Sequence, residues 1–150
     1  MSTSTPTPPA AAPATPPAYG PPISLGQAVM VMAAAEAEAR ANGWPMTIAI
    51  VDSGANLDML HRMDNGQIGS IVIAQGKAET AVKFRRATKV FQDLVAGGGT
   101  HLRLLNMPGL LPLEGGVPIY SVGKIIGAIG VSGMSSAQDH QVAEAGSKAV

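Results

Sequence analysis

Apolar positions recur along the chain in two periods, and each change of period marks an element. From Leu25 the residues Leu25, Ala28, Val29, Met32, Ala35 and Ala39 follow steps of three and four, the spacing of one helix face. Ser24 with Gln27 three residues on forms a capping-box pattern, and Glu36 with Arg40 is an i,i+4 pair elsewhere on the helix surface. Asn42-Gly43 followed by Pro45 ends the helix. In "MTIAIVDSGANLDMLHRMD" two strand-like runs flank Ser53-Gly54-Ala55-Asn56, which predicts a hairpin with Leu57, Met59, His61 and Met63 on one face of its second strand.

Residues 69 to about 86 return to the helical period, and three faces separate at 100° per residue. Ile71, Ala74, Ala78, Ala81 and Val82 make a core stripe, and Gln75, Glu79, Lys83 and Arg86 make a wet face. Lys77 falls on a third face beside Ile73, Thr80 and Phe84, which suits a cleft or a subunit boundary. Its neighbour Gly76 costs a helix about 1 kcal/mol relative to alanine, so close approach by another backbone, a ligand or a subunit is expected there. "TKVFQDLVAGGG" predicts a short helix capped by Thr88 and ended by Gly97 to Gly99, and "THLRLLNMPGLLP" predicts a loop. "GGVPIYSVGKIIGAIGVSG" predicts a second hairpin turning at Val122-Gly123, and Ser136 with Asp139 predicts a capping box opening a C-terminal helix. This order predicts an α+β domain with a mainly antiparallel sheet, packed helices, and a helix at each end.

Composition narrows the chemistry. With 46% hydrophobic residues in 150, one packed domain over residues 23–150 is expected. Residues 1–22 carry eight of the twelve prolines and no charged side chain, which predicts a disordered or extended Pro/Ala-rich tail. Ten Lys and Arg balance ten Asp and Glu, so no net field draws nucleic acid or an anionic membrane. No apolar run is long enough to span a bilayer, and proline breaks each candidate leader, so a cytoplasmic protein is expected. The absence of cysteine removes disulfides, thiolate nucleophiles and Cys-bound metals.

Motifs for zinc peptidases, phosphate loops, dinucleotide folds and nucleophile elbows are absent. His61, His101 and His140 are not spaced to share a metal from one element, so no metal site is expected. His61 reads either as a satisfied strand residue or as a ligand or base, and His140, in a first helical turn where the dipole disfavours its charged form, reads similarly. Lys77 reads as a cation for an anionic group in a cleft or as a side chain reaching past a packed glycine to water. "GVSGMSS" brings Gly130, Ser132 and Gly133 to a strand-to-helix turn that could seat a carboxylate or phosphate, and Glu114 before two glycines is a candidate base.

Three blocks, "IAIVDSGANLDMLHRMD", "GSIVIAQGKAETAVKFRRAT" and "LPLEGGVPIYSVGKIIGAIGVSGMSSAQDHQVAEAG", together resemble the haem-degrading-domain family of the GlcG/HbpS type. The resemblance implies a profilin-like α+β fold that assembles into homo-oligomers, from dimers to octamers, and a small-molecule ligand such as haem or a related tetrapyrrole, with haem breakdown as an associated activity. It matches Gly76-Lys77-Ala78, Glu114-Gly115-Gly116 and Gly130-Val131-Ser132-Gly133 to family motifs as pocket or interface positions. On that reading His61 or His140 is the iron ligand, Lys77 or Arg62 meets a propionate, and Met59 and Met63 cover the ring. An alternative is a catabolic enzyme moving a proton on a small carboxylate or keto acid, of isomerase, tautomerase or lyase type, with Lys77, Glu114 and His61 as catalytic residues. A second alternative is a non-catalytic accessory subunit that docks through the proline tail.

Overall fold

The computed structural model describes residues 15–150, and most of the predicted tail lies outside the described residues. Four strands form one antiparallel sheet in the order β2-β1-β4-β3, with β1 Thr47–Asp52, β2 Leu57–Arg62, β3 Gly116–Ser121 and β4 Lys124–Ser132. Helices α1 Leu25–Asn42 and α4 Ser136–Ser147 pack on one face, and α2 Ser70–Lys83 covers the other. The short α3 Thr88–Ala96 and a 3-10 helix, Gly99–Asn106, lie between α2 and β3 in the chain. The α+β, mainly antiparallel architecture expected from the sequence is present.

The two central strands read as nearly continuous apolar runs because both of their faces are covered. Ile48 and Ile50 of β1 join Val31, Met32, Ala35 and Val142 in the core beneath α1 and α4. Ala49 and Val51 join Ala74, Ala78, Ala81 and Val82 beneath α2. Small residues on α2 let it settle close to the sheet. A Cβ built on Gly130 would meet the Ala74 carbonyl and the Ala78 amide of α2, so β4 and α2 touch backbone to backbone.

Local signals placed the caps with two shifts. Ser24 and Gln27 make the predicted capping box, and Gly43 closes α1 in the left-handed region at φ 72°. At α4 the box is one residue earlier than expected, Ser135 with Gln138, because Asp139 is engaged elsewhere. Thr88 is not the cap of α3; it is the first helical residue and its hydroxyl accepts from the Gly116 amide at 2.8 Å. The stretch expected as a loop after Gly99 winds into the 3-10 helix with Leu104 buried. Leu25 and Val29, expected in the core stripe, are exposed, and Val31 is buried in their place. Helix α2 is also shorter than expected, ending at Lys83.

Segment 18–23 runs beside β4 where β1 has already ended. The Ile125 amide donates to the Ala18 carbonyl at 2.9 Å and the Gly20 amide to the Ile125 carbonyl at 2.8 Å. The Tyr19 hydroxyl donates to the carbonyl of Val82 at 2.7 Å, near the end of α2. No described helix is long and apolar enough to cross a membrane.

Two glycines on this interface should answer the same substitution in opposite ways. Gly130→Ala drives a methyl into helix backbone that cannot yield, and a loss of at least 1–3 kcal/mol, roughly, is expected. Gly76→Ala meets only the Leu111 Cδ2 tip at 3.0 Å. There the helix gains about 1 kcal/mol of propensity, so urea midpoints should show little change or a small increase.

Candidate functional site

The three glycine motifs meet one another. Lys77, on the middle of α2, is buried, and its ammonium donates to the Val131 carbonyl and to Asp139 Oδ2, each at 2.9 Å. Asp139 is buried in the first turn of α4, and its other oxygen accepts from the Met134 amide at 3.0 Å. The strand-to-helix turn that the sequence offered as a carboxylate seat thus holds a carboxylate of the chain itself. Gly115 and Gly116 close the node: a Cβ on Gly115 would meet Lys77 Nζ at 2.8 Å, and one on Gly116 would meet the Lys77 carbonyl.

Burial pushes the Asp139 carboxyl above its ordinary value, and the Lys77 ammonium and the amides of Met134 and Gly133 pull it back. Because the folded value is raised, the share of stability tied to Asp139 is full below its ordinary value of 3.8 and is lost as pH rises through the raised one. The net stability such a buried pair adds is small, because desolvation of both charges offsets most of their attraction.

The other sequence candidates occupy distinct places. Glu114 is buried rather than solvated in its turn, and Gln92 serves both its backbone amide, at 2.9 Å, and its carboxylate, at 3.3 Å. Ser132 donates to the Ser70 hydroxyl at 3.0 Å under the start of α2. Gly133 sits at φ 154° against the Pro45 carbonyl. The visitor expected at Gly76 is Leu111 of the chain itself, whose amide donates to the Thr80 hydroxyl at 2.9 Å. A hollow of about 280 Å³ flanks that contact, between α2 and residues 109–111. His140 Nε2 lies 3.4 Å from Glu144, and its buried Nδ1 has no partner among the described residues.

His61 and Arg62 are brought together with side chains of α1. Near the end of β2 they line a cleft of about 620 Å³ with Met63 and Asp64, and α1 contributes Glu36 and Arg40. Lys77, Glu114 and His140 do not line it. Glu36, largely buried, holds two neighbours: one oxygen lies 2.5 Å from His61 Nδ1 and the other accepts from Arg40 at 3.0 Å. A carboxylate only accepts, so Nδ1 is the donor in this contact, and Nε2 is the ring nitrogen that Glu36 does not engage. That is the arrangement in which a carboxylate fixes the tautomer and direction of a metal-ligating histidine.

Sequence reasoning missed Glu36 and Asp139 as partners. Glu36 was visible only as half of an i,i+4 pair with Arg40, and Asp139 only as a cap. No set of three or more His, Cys, Asp or Glu among the described residues is placed to hold a bare metal ion.

Comparison with known proteins matches residues 23–148 to a family described as haem degrading protein HbpS-like. The chain is 43% identical to Protein GlcG of Escherichia coli over 110 residues, covering 73% of this chain and 81% of that protein. A crystal structure of a double mutant of HbpS from Streptomyces reticuli superposes with a TM-score of 0.78 at 29% identity, covering 97% of each chain. A crystal structure of a PduOC–haem complex gives the same TM-score at 27% identity, covering 86% of this chain and 95% of that one.

The buried pair yields a test. Lys77→Met strands a buried carboxylate and should cost roughly 3–5 kcal/mol near neutral pH, while the double change Lys77→Met with Asp139→Leu should recover most of it. Losing the ammonium raises the Asp139 carboxyl further, so the deficit of the single variant should shrink as pH falls toward 5. Urea unfolding at the two pH values, with the double variant in parallel, reads both effects.

Proposed function

The chain belongs to the HbpS-like haem-degrading protein family, and from that premise we propose that it binds haem or a related tetrapyrrole in the cleft between α1 and β2. The observation that carries this reading is the Glu36–His61 contact of 2.5 Å, which engages Nδ1 and leaves Nε2 as the nitrogen that could meet iron. A structurally similar chain solved with haem supports the same ligand. The cleft, about 620 Å³, falls within the roughly 300–1,000 Å³ common for small-molecule sites.

The residues present fit such a group. His61 would hold the iron, Glu36 would orient the ring, and Arg40 and Arg62 would meet propionates through fork-shaped guanidinium donors. Met63 and Leu60 offer thioether and apolar surface. Bound haem would supply redox and oxygen chemistry, and the breakdown activity in the family description is part of this proposal.

A second reading has specific support in the same cleft. A histidine held by a carboxylate, in a cleft that two arginines line, can also act as a general base on a small carboxylate or keto acid, with Arg40 and Arg62 holding the acid. Both readings centre on His61. We also infer self-association. The first eleven residues of α1 carry no charge, and Leu25, Val29 and Met30 on its outer side are exposed.

Haemin titration separates the readings. A saturable Soret shift is expected for the wild type and should be lost in His61→Ala, and Glu36→Gln should weaken binding by roughly 10–100-fold. No saturable shift would sink the haem reading and leave proton exchange on keto acids as the assay. For assembly, sedimentation velocity should show a species larger than 15.2 kDa that Val29→Glu shifts toward monomer.

A further inference from the structure

Building on the haem reading above, we propose that the His61 cleft is one half of a longer ligand seat, and that Trp44 walls the other half. A second hollow, of about 350 Å³, lies against the first. Gly43, Trp44, Pro45 and Asn65 line it alone, whereas Arg40, Met63 and Asp64 line both. The divide between them is therefore formed by these three shared residues. Arg40, the part of it reaching from α1, is 66% exposed and held by one ion pair to Glu36. The guanidinium, itself in solvent and tied at one point, can swing to open one trough.

Trp44 is the fixed wall of that trough. Its backbone amide donates to the Ala39 carbonyl at 2.9 Å, just past the left-handed Gly43 cap, and Pro45 restricts its backbone. The indole packs partly against the core beneath α1, which restricts it while leaving part of it exposed. An aromatic wall beside Arg40, with Arg62 in the adjoining hollow, suits a planar conjugated ring carrying carboxylates: the ring would stack on the indole while its acid groups meet Arg40 and Arg62. Ligand class follows from this geometry. A small keto acid would fill the His61 half and would not sense Trp44, whereas a macrocycle that extends past Met63 and Asp64 would reach it.

Trp44 is the chain's only tryptophan, and its role is separable from that of His61 with an iron-free probe. Mesoporphyrin binding, followed by fluorescence anisotropy, should survive His61→Ala. It should weaken roughly 2- to 10-fold in Trp44→Leu, the worth of one aromatic contact, and recover in Trp44→Phe. Haemin should lose affinity in Trp44→Leu while its Soret position stays that of the wild type, because the iron ligand is unchanged. Asn65→Gly, which suits the positive φ of 65°, provides a variant that keeps the fold and trims the same hollow, and it should also weaken mesoporphyrin. Full affinity in both Trp44→Leu and Asn65→Gly would overturn the proposal and leave the haem reading standing. Trp44-dependent mesoporphyrin binding without a His61-dependent Soret shift would overturn the haem reading and retain the trough, and a wild type that binds neither probe would overturn both.

Discussion

Everything on the α2 side of the sheet depends on the backbone contact between α2 and β4 at Gly130. Without a side chain at that position the helix sits directly on the strand, with Ala74 and Ala78 as its contact surface. That closeness brings Lys77 Nζ within 2.9 Å of the Val131 carbonyl one residue further along β4. It also leaves room for nothing larger than glycine at 115 and 116, where the turn into β3 passes over the lysine. Close packing and the buried ion pair are therefore one construction, because a longer helix–sheet distance would strand the ammonium in an apolar layer.

The opposite layer is built for access. Helix α1 crosses the sheet near its β2 edge, and β2 is exposed along much of its length, in contrast to the buried β1 and β4. Side chains of the strand end can therefore meet α1 residues at the surface and still be ordered by a carboxylate such as Glu36, which is itself mostly shielded. The result is a rigid centre with a polar, open margin, a division that suits ligand binding because the margin can adapt while the core keeps its shape.

Candidate residues divide along the same line. Lys77 drew attention in the sequence because its neighbour Gly76 is costly in a helix, and Glu114 because it stands before two glycines as a candidate base. The structure finds them buried, with Asp139 and Gln92 as partners. Glycines that admit close approach look alike in sequence whether the visitor is a ligand or another part of the chain. At Gly76 the visitor is Leu111, which no periodicity could have indicated. His61 was legible as a candidate, but Glu36, which gives it direction, stands 25 residues away on another element.

Local rules were enough for the elements themselves: the box at Ser24, both hairpin turns and the helical and strand periods all depend on residues within a few positions of each other. Where two local solutions competed, the tertiary structure chose. Ser135 with Gln138 and Ser136 with Asp139 have the same spacing, and the first is used because Asp139 is drawn to Lys77, 62 residues earlier in the chain. The sequence by itself determined the four α-helices and four strands, though not the 3-10 helix Gly99–Asn106, and hence the α+β class, because propensity, capping and periodicity act over a few residues. Only the tertiary structure decided which charges are satisfied internally and which face a cleft, because burial and partnership are set by how the layers stack.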